Sequence, residues 1–329
     1  MKLIIKCFLV MIVLWGATPA WAIECARAST IVESTICGSP QLKWLDSVLN
    51  NAYRSVMQED DPQDVNKTMQ EWLHSRNACT SSHCLRWAYL QGIGLLYNSP
   101  ASFPWAGEWW NITATHGNGG RLILDNVNQW TFDFNASTWG GTYKSNLNGN
   151  ARLFWGVGFD DHIKWGGGCT VIFIPHPDGR ITVSSDNLGS CKLLMPGGMA
   201  IDGIYQKAEK DPRPPATLLS VGIFPSKALD DHFRQLVGKD YQWFVSVANN
   251  ITYAVDEDNM NATVVTLAVK GDASRRAAII MFTADGRIWT SWVTPDINKK
   301  GGVLLHYITT EKDRKNLPKT ISRWCALFS

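Results

Sequence analysis

Asp160-Asp161-His162 puts two carboxylates and an imidazole at consecutive positions, a set that suits a divalent cation or a proton transfer. Either chemistry needs more groups than these. No second His or Cys cluster stands at ligand spacing elsewhere in the chain, so an Asp-rich turn is expected and no metal ligand is assigned. Asp230-Asp231 and Asp256-Glu257-Asp258 read as a helix first turn and a polar loop. The sequence has no Gly-x-Ser-x-Gly elbow, no His-Glu-x-x-His, no phosphate loop and no Cys/His protease setting. These residues therefore support no enzymatic assignment, and no catalytic residue and no cofactor is assigned.

Two other residue types carry chemistry. There are 16 tryptophans, concentrated in the middle and last parts of the chain, and an exposed indole face stacks on a sugar ring. Alternating positions such as Trp130 are expected to face a core instead. Trp139, before Gly140-Gly141, and Trp165, before Gly166-Gly167, stand on loop-like stretches and are the candidates for glycan stacking. Of the 8 cysteines, Cys7 falls in a leader and the remaining ones are expected to pair in an oxidising compartment. Cys25, Cys37, Cys79 and Cys84 make two bridges in any of three connectivities, Cys169 pairs with Cys191, and Cys325 is left over, with burial its expected fate.

The leader is residues 1–22, with Lys2 and Lys6 ahead of an apolar run from Cys7 to Trp15 and the small-residue pattern Ala20-Trp21-Ala22. That run is too short for a confident membrane span, and no later segment is apolar enough, so a periplasmic or secreted protein is expected. Losing Lys2 and Lys6 from 31 basic residues leaves 29 against 29 acidic ones. A mature chain of zero formal charge has no electrostatic footprint for nucleic acid and gains little at an anionic membrane.

These residues must be positioned by several domains. Composition shifts at Asn98-Ser99-Pro100 and at the Pro-rich stretch around Pro212 divide the mature chain into a helical module, 23–98, a β domain, 104–207, a linker, 208–217, and an α+β domain, 218–329. In the first, Thr30 with Glu33 forms a capping-box signature, and Leu42, Leu45, Leu49, Ala52 and Val56 make one apolar stripe. Stripes follow at Val65, Met69 and Trp72 and at Leu85, Ala88 and Tyr89, and the small core calls for disulfide staples. The β domain shows period two at Phe132 and Phe134 and a hairpin turn at Pro177-Asp178-Gly179, which predicts an all-β small barrel or sandwich. The last domain reads as a Ser226-capped helix over an antiparallel sheet, with strands expected at Phe244–Tyr253, Thr263–Val269, Ala278–Thr283, Arg287–Val293 and Val303–Ile308.

The run Cys25 to Thr30 with Glu33, Ile36-Cys37, Leu45-Asp46, Leu49 and Ala52-Tyr53, closed by Trp72-Leu73, Arg76 to Cys79, Cys84-Leu85 and Tyr89, resembles the LprI-type lysozyme-inhibitor module of bacterial envelope proteins. The middle segment, from Trp105 to Glu108-Trp109 and on to Asp202-Gly203-Ile204-Tyr205, is similar to a β domain that often follows such modules. The last segment resembles, through Phe233, Gln235, Val237, Trp243 and the strands Ala278–Phe282 and Ile288–Trp292, the inhibitor of vertebrate lysozyme, Ivy. Ivy proteins insert a disulfide-closed Cys-Lys-Pro-His-Asp-Cys loop into the lysozyme cleft. Here the stretch is Ala268 to Ala273, where only Asp272 stands in place and Gly271 takes the histidine position.

These resemblances imply an exported protein that binds and inhibits a lysozyme-like peptidoglycan hydrolase, from a host or from a rival bacterium, in which case it serves as an immunity protein. A muramidase cleft presents two carboxylates, so an inhibiting loop needs donors or cations. Lys270, Gly271, Asp272, Arg275 and Arg276 are the loop candidates. The alternative is a non-catalytic envelope adaptor that grips peptidoglycan or another glycan through its tryptophans.

Overall fold

The computed structural model describes residues 23–58, 62–100, 102–115, 117–163 and 168–328. The leader and Trp165 lie outside the described residues. The chain divides into two compact units, one ending at Tyr89 and the other beginning at Leu90.

The first unit is helical. The capping box forms as the spacing predicts: Thr30 Oγ1 accepts from the Glu33 amide at 3.1 Å and Glu33 accepts from the Thr30 amide at 3.0 Å, opening α1 (Ile31–Gly38). Ser39 caps α2 (Pro40–Val56), with Pro40 in the first turn where its missing N–H costs nothing. Then come α3 (Pro62–Asn77) and α4 (Ser82–Leu96), within which the unit boundary falls. Leu42, Leu45 and Leu49 of α2, Met69 and Trp72 of α3 and Leu85 and Tyr89 of α4 are buried. Cys25–Cys37 and Cys79–Cys84 are the two bridges, each closing a local loop.

Beneath this apolar layer lies a polar core. Asp46, only 6% exposed, accepts from the Tyr89 hydroxyl at 2.8 Å and from the Ile23 amide at 3.1 Å. Burial pushes its carboxyl above the ordinary value, against those hydrogen bonds and the charge of Arg76. Arg76 also lies 5.3 Å over the Trp72 ring, whose N–H donates to the Ala88 carbonyl. Asp46, Trp72, Arg76 and Tyr89 are all interior.

The second unit starts with a closed antiparallel barrel: β1 (Gly107–Asn111), β2 (Gly119–Asp125), β3 (Thr131–Gly140), β4 (Tyr143–Phe154), β5 (Val157–Asp160), β6 (Val171–Pro175), β7 (Ile181–Ser185) and β8 (Gly203–Lys207). Each strand pairs with the next, and β8 returns to β1, so no edge is left for another chain to pair with. Phe132, Phe134 and Ala136 alternate inward along β3 and meet Phe173, Val183 and Tyr205. Trp130 is a correction to the inward expectation. It is 68% exposed, because its amide and that of Thr131 donate to Asn128 Oδ1 in a turn, and the alternation starts only at Phe132. Cys169–Cys191 ties the start of β6 to the loop after β7.

The chain leaves the barrel through the Pro-rich stretch, which Arg213 fixes by donating to the carbonyls of Ala114 at 2.7 Å and Asn118 at 2.9 Å. Next come α5 (Lys227–Val237), capped by Ser226, α6 (Tyr241–Val247) and β9 (Asn250–Ala254). The strand expected across Phe244–Tyr253 is therefore a helical turn followed by a shorter strand: Tyr241, Phe244 and Val247 sit at helical spacing and pack with Phe233 and Trp292. A four-stranded sheet follows, β10 (Thr263–Ala268), β11 (Ala277–Phe282), β12 (Ile288–Pro295) and β13 (Val303–Thr309). The helices α5 and α6 cover one face, while α7 (Lys319–Cys325) covers the other through Ile321 and Trp324. Every residue of β11 is buried, as strands covered on both faces require. Cys325 keeps a thiol outside any disulfide, half-buried, donating to Ser291 Oγ.

Among the described residues no helix is long and apolar enough to cross a membrane. Three disulfides fit an extracellular or periplasmic protein.

Candidate functional site

At one end of the barrel the inward alternation runs out of apolar residues. Trp109 gives way to Asn111, Ala136 to Thr138 and Val183 to Ser185, so the core ends in a buried polar layer. Asn111 is saturated: its amide donates to the Asp202 carbonyl at 3.0 Å and its Oδ1 accepts from Thr113 and Ala114. The Asp202 carboxylate accepts from the Ser185 amide at 2.9 Å and the Ser185 hydroxyl at 2.5 Å, and burial raises its affinity for a proton despite them. Thr138 differs. It is 3% exposed, and its hydroxyl has no hydrogen-bond partner, a state that costs about 1–3 kcal/mol.

A pocket of about 220 Å³ opens over this layer, with Thr138, Trp139, Asn118, Asp202 and Lys270 in its lining. Trp139 is held by its cross-strand partner Gly119: a Cβ there would lie 2.1 Å from the indole, so only glycine lets the ring lie down on β2. Trp110 meets it edge-on at 6.4 Å. Trp139 also walls a second pocket of about 410 Å³, bounded by Arg213, Pro214 and Pro215. The two share Ala114, Thr115, Asn118 and Trp139 and form one groove. Arg213 holds the Asp211 carboxyl below its ordinary value through their hydrogen bonds.

Lys270 comes from the loop after β10. Its carbonyl accepts from the Thr142 amide and hydroxyl, both at 3.1 Å, and its amide donates to Asn249, whose side chain donates to Asn118 at 3.0 Å. Gly271, at φ +82°, leaves room for Thr142 Oγ1, which a Cβ would meet at 2.4 Å. The loop candidates are thus split: Lys270 and Gly271 dock on the β3–β4 hairpin, while Arg275 is exposed and Asp272 and Arg276 are half-buried in a turn closed by hydrogen bonds to the Asp272 carbonyl. Lys270 and Trp139, proposed from sequence for different roles, meet in one pocket.

A larger pocket, about 670 Å³, lies across β3, β4 and β5, with Asp133, Asn148, Asn150, Asp160 and His162 among its lining. Ligand atoms of Asp160, Asp161 and His162 come within 4.8 Å of one another. These groups are already engaged. Asp160, buried and with its carboxyl pushed up by desolvation, accepts from the amides of Asn150 at 3.2 Å and His162 at 2.8 Å. Asp161 pairs with Arg152 at 2.9 Å and with His162 Nδ1 at 2.5 Å. The cluster closes the turn after β5. The smaller pocket is the better site, because it alone of the two holds a buried polar atom without a partner.

Sequence reasoning missed Thr138, Asn118 and Asp202. The one available signal was the Phe132, Phe134, Ala136, Thr138 progression, whose last inward position is polar. No protein-family model, characterised protein or solved structure matches the chain.

Proposed function

We propose that this is an exported bacterial envelope protein that binds a lysozyme-like peptidoglycan hydrolase, of a host or of a competitor, and sterically blocks it. One observation supports the reading most: the residues that resemble the LprI-type pattern are those that build the disulfide-stapled core, Asp46, Trp72, Arg76 and Tyr89 around Cys25–Cys37 and Cys79–Cys84. A likeness concentrated in interacting core residues is a likeness of fold. It leaves the contact surface to exposed groups. For a cleft holding two carboxylates the free cation in the Ivy-like loop is Arg275, with Arg276 beside it, since Lys270 faces the barrel.

The exported chain on a column should retain a lysozyme-type muramidase and, in solution, slow its clearing of a cell-wall suspension. Failure of both ends this reading. Charge reversal at Arg275 and Arg276 should weaken inhibition about tenfold if their loop is the contact.

A second reading, a non-catalytic adaptor that grips peptidoglycan or a related glycan, draws on the position of Trp139 at the groove between barrel and sheet. Soluble peptidoglycan fragments that quench tryptophan fluorescence, with no muramidase bound, would favour it.

A further inference from the structure

The pocket over the barrel's polar end has the size and the donors of a small-ligand site. Its volume is about 220 Å³, where a single water needs about 10–15 Å³ of such space. One monosaccharide fits there.

Its polar groups are lopsided. The Asp202 carboxylate is taken up by Ser185, and Asn111 by Thr113, Ala114 and the Asp202 backbone. What remains is mostly donors. The Thr138 hydroxyl, buried, has no partner. Asn118 uses its Oδ1 for Asn249 and keeps its amide hydrogens. The Lys270 ammonium makes one hydrogen bond, to the Gly197 carbonyl at 3.3 Å, out of three it can donate. Beside them stands a fixed indole, Trp139, seated on Gly119. Donors and one ammonium, with the carboxylate of the lining, Asp202, already engaged by Ser185, suit a ligand that carries acceptors and a negative charge.

We infer that this pocket binds a single acidic sugar, its hydroxyls toward Asn118 and Thr138 and its carboxylate toward Lys270, with Trp139 walling the pocket from the outer face of β3. This deepens the glycan-binding reading and rests on it. It also assigns Lys270 a different task from that of a cleft-inserting loop: its loop is docked on the barrel by Thr142 and Asn249, which presents the ammonium to the pocket.

The test is calorimetric titration of the exported chain with N-acetylmuramic acid and with N-acetylglucosamine, which shares the ring but lacks the lactyl carboxylate. The acid should bind with Kd of about 1 mM and the neutral sugar at least about fivefold more weakly. Thr138→Val, which keeps the side chain's shape, should weaken the acid about tenfold. Lys270→Met should abolish the preference for the acid over the neutral sugar. Absence of binding by either sugar, equal binding of both, or an unchanged Kd in Thr138→Val overturns the assignment. Peptidoglycan fragments separate the two levels: quenching by fragments that survives Thr138→Val and Trp139→Ala places a glycan site elsewhere, whereas no quenching at all removes the glycan-binding reading itself. Thermal unfolding of each variant, expected within a few degrees of the parent, confirms that the chain tested is folded.

Discussion

The helical unit and the barrel both bury polar side chains, and they finish the job differently. In the helical unit the Asp46 carboxylate is met by Tyr89 and Ile23 and feels the charge of Arg76, whose Nη1 is itself buried without a hydrogen-bond partner. In the barrel, Asn111 and Asp202 are saturated but Thr138 beside them is not. A buried carboxylate whose acceptor sites are met helps specify one packing. A buried hydroxyl left without a partner has a cost that a ligand can remove. The contrast is between Asp46 and Thr138, and it can be attacked from both sides.

The largest effect should come from Asp46→Ala. It strands the Tyr89 hydroxyl and the Arg76 charge in the interior, and removing one member of such a set costs about 3–5 kcal/mol. Urea unfolding of the variant measures it; a loss under about 1 kcal/mol would show that Asp46 does not hold Tyr89 as argued. Asp46→Asn refines the point through pH. Burial raises the folded-state carboxyl above its ordinary 3.8, so the folded protein holds this proton more tightly than the unfolded chain. Stability from this group is then greatest in acid and falls as pH rises from the unfolded value through the raised one. Relative to Asp46→Asn, the parent should lose stability on going upward from about pH 4. A difference that grows in the opposite direction contradicts the burial.

The disulfides rank next. Their sequence separations are 22 for Cys169–Cys191, 12 for Cys25–Cys37 and 5 for Cys79–Cys84. Loop-closure entropy then gives contributions of about 3.4, 2.8 and 2.1 kcal/mol respectively. Paired Cys→Ser variants followed by urea unfolding should reproduce that order. The consequence differs by region: loss of Cys25–Cys37 acts on a small helical core, whereas Cys169–Cys191 closes onto a barrel whose hydrogen bonds already ring the core. A helical unit that stayed folded without Cys25–Cys37 while the barrel unfolded without Cys169–Cys191 would reverse the expected dependence on core size.

Local patterns made the scaffold legible. The stripe Leu42, Leu45, Leu49 marks α2, Ser226 marks the start of α5, and Pro177-Asp178-Gly179 joins β6 to β7. Where two local signals compete, tertiary packing decides. The β-branched and aromatic run from Phe244 to Tyr253 suits a strand by composition, yet Phe244 and Val247 serve as one face of α6 against Phe233 and Trp292. The helix α7, seven residues after Pro318, has too short a period to announce itself and exists because Ile321 and Trp324 cover the second face of the sheet. The site was the least legible part. Its members come from positions as distant as Asn118 and Asn249, joined by a hydrogen bond at 3.0 Å across 131 residues. Trp139 was recognisable by its Gly-Gly neighbours, but the glycine that seats it is Gly119 on the adjacent strand.

The smallest expected stability effect is the most informative. Thr138→Val removes a hydroxyl that has no partner and keeps the side chain's volume, so folding no longer has to desolvate an unmatched donor. Deleting a satisfied hydroxyl costs stability; deleting this one should leave unfolding free energy unchanged or raise it by up to about 1 kcal/mol. The same substitution should reduce binding at the pocket. A residue whose replacement makes the protein no less stable while weakening a ligand is retained for the ligand, which is the opposite signature to Asp46. Were Thr138→Val to destabilise the chain by more than about 1 kcal/mol, its hydroxyl would belong to a completed network, and the distinction between the two interiors would fail at its most exposed point.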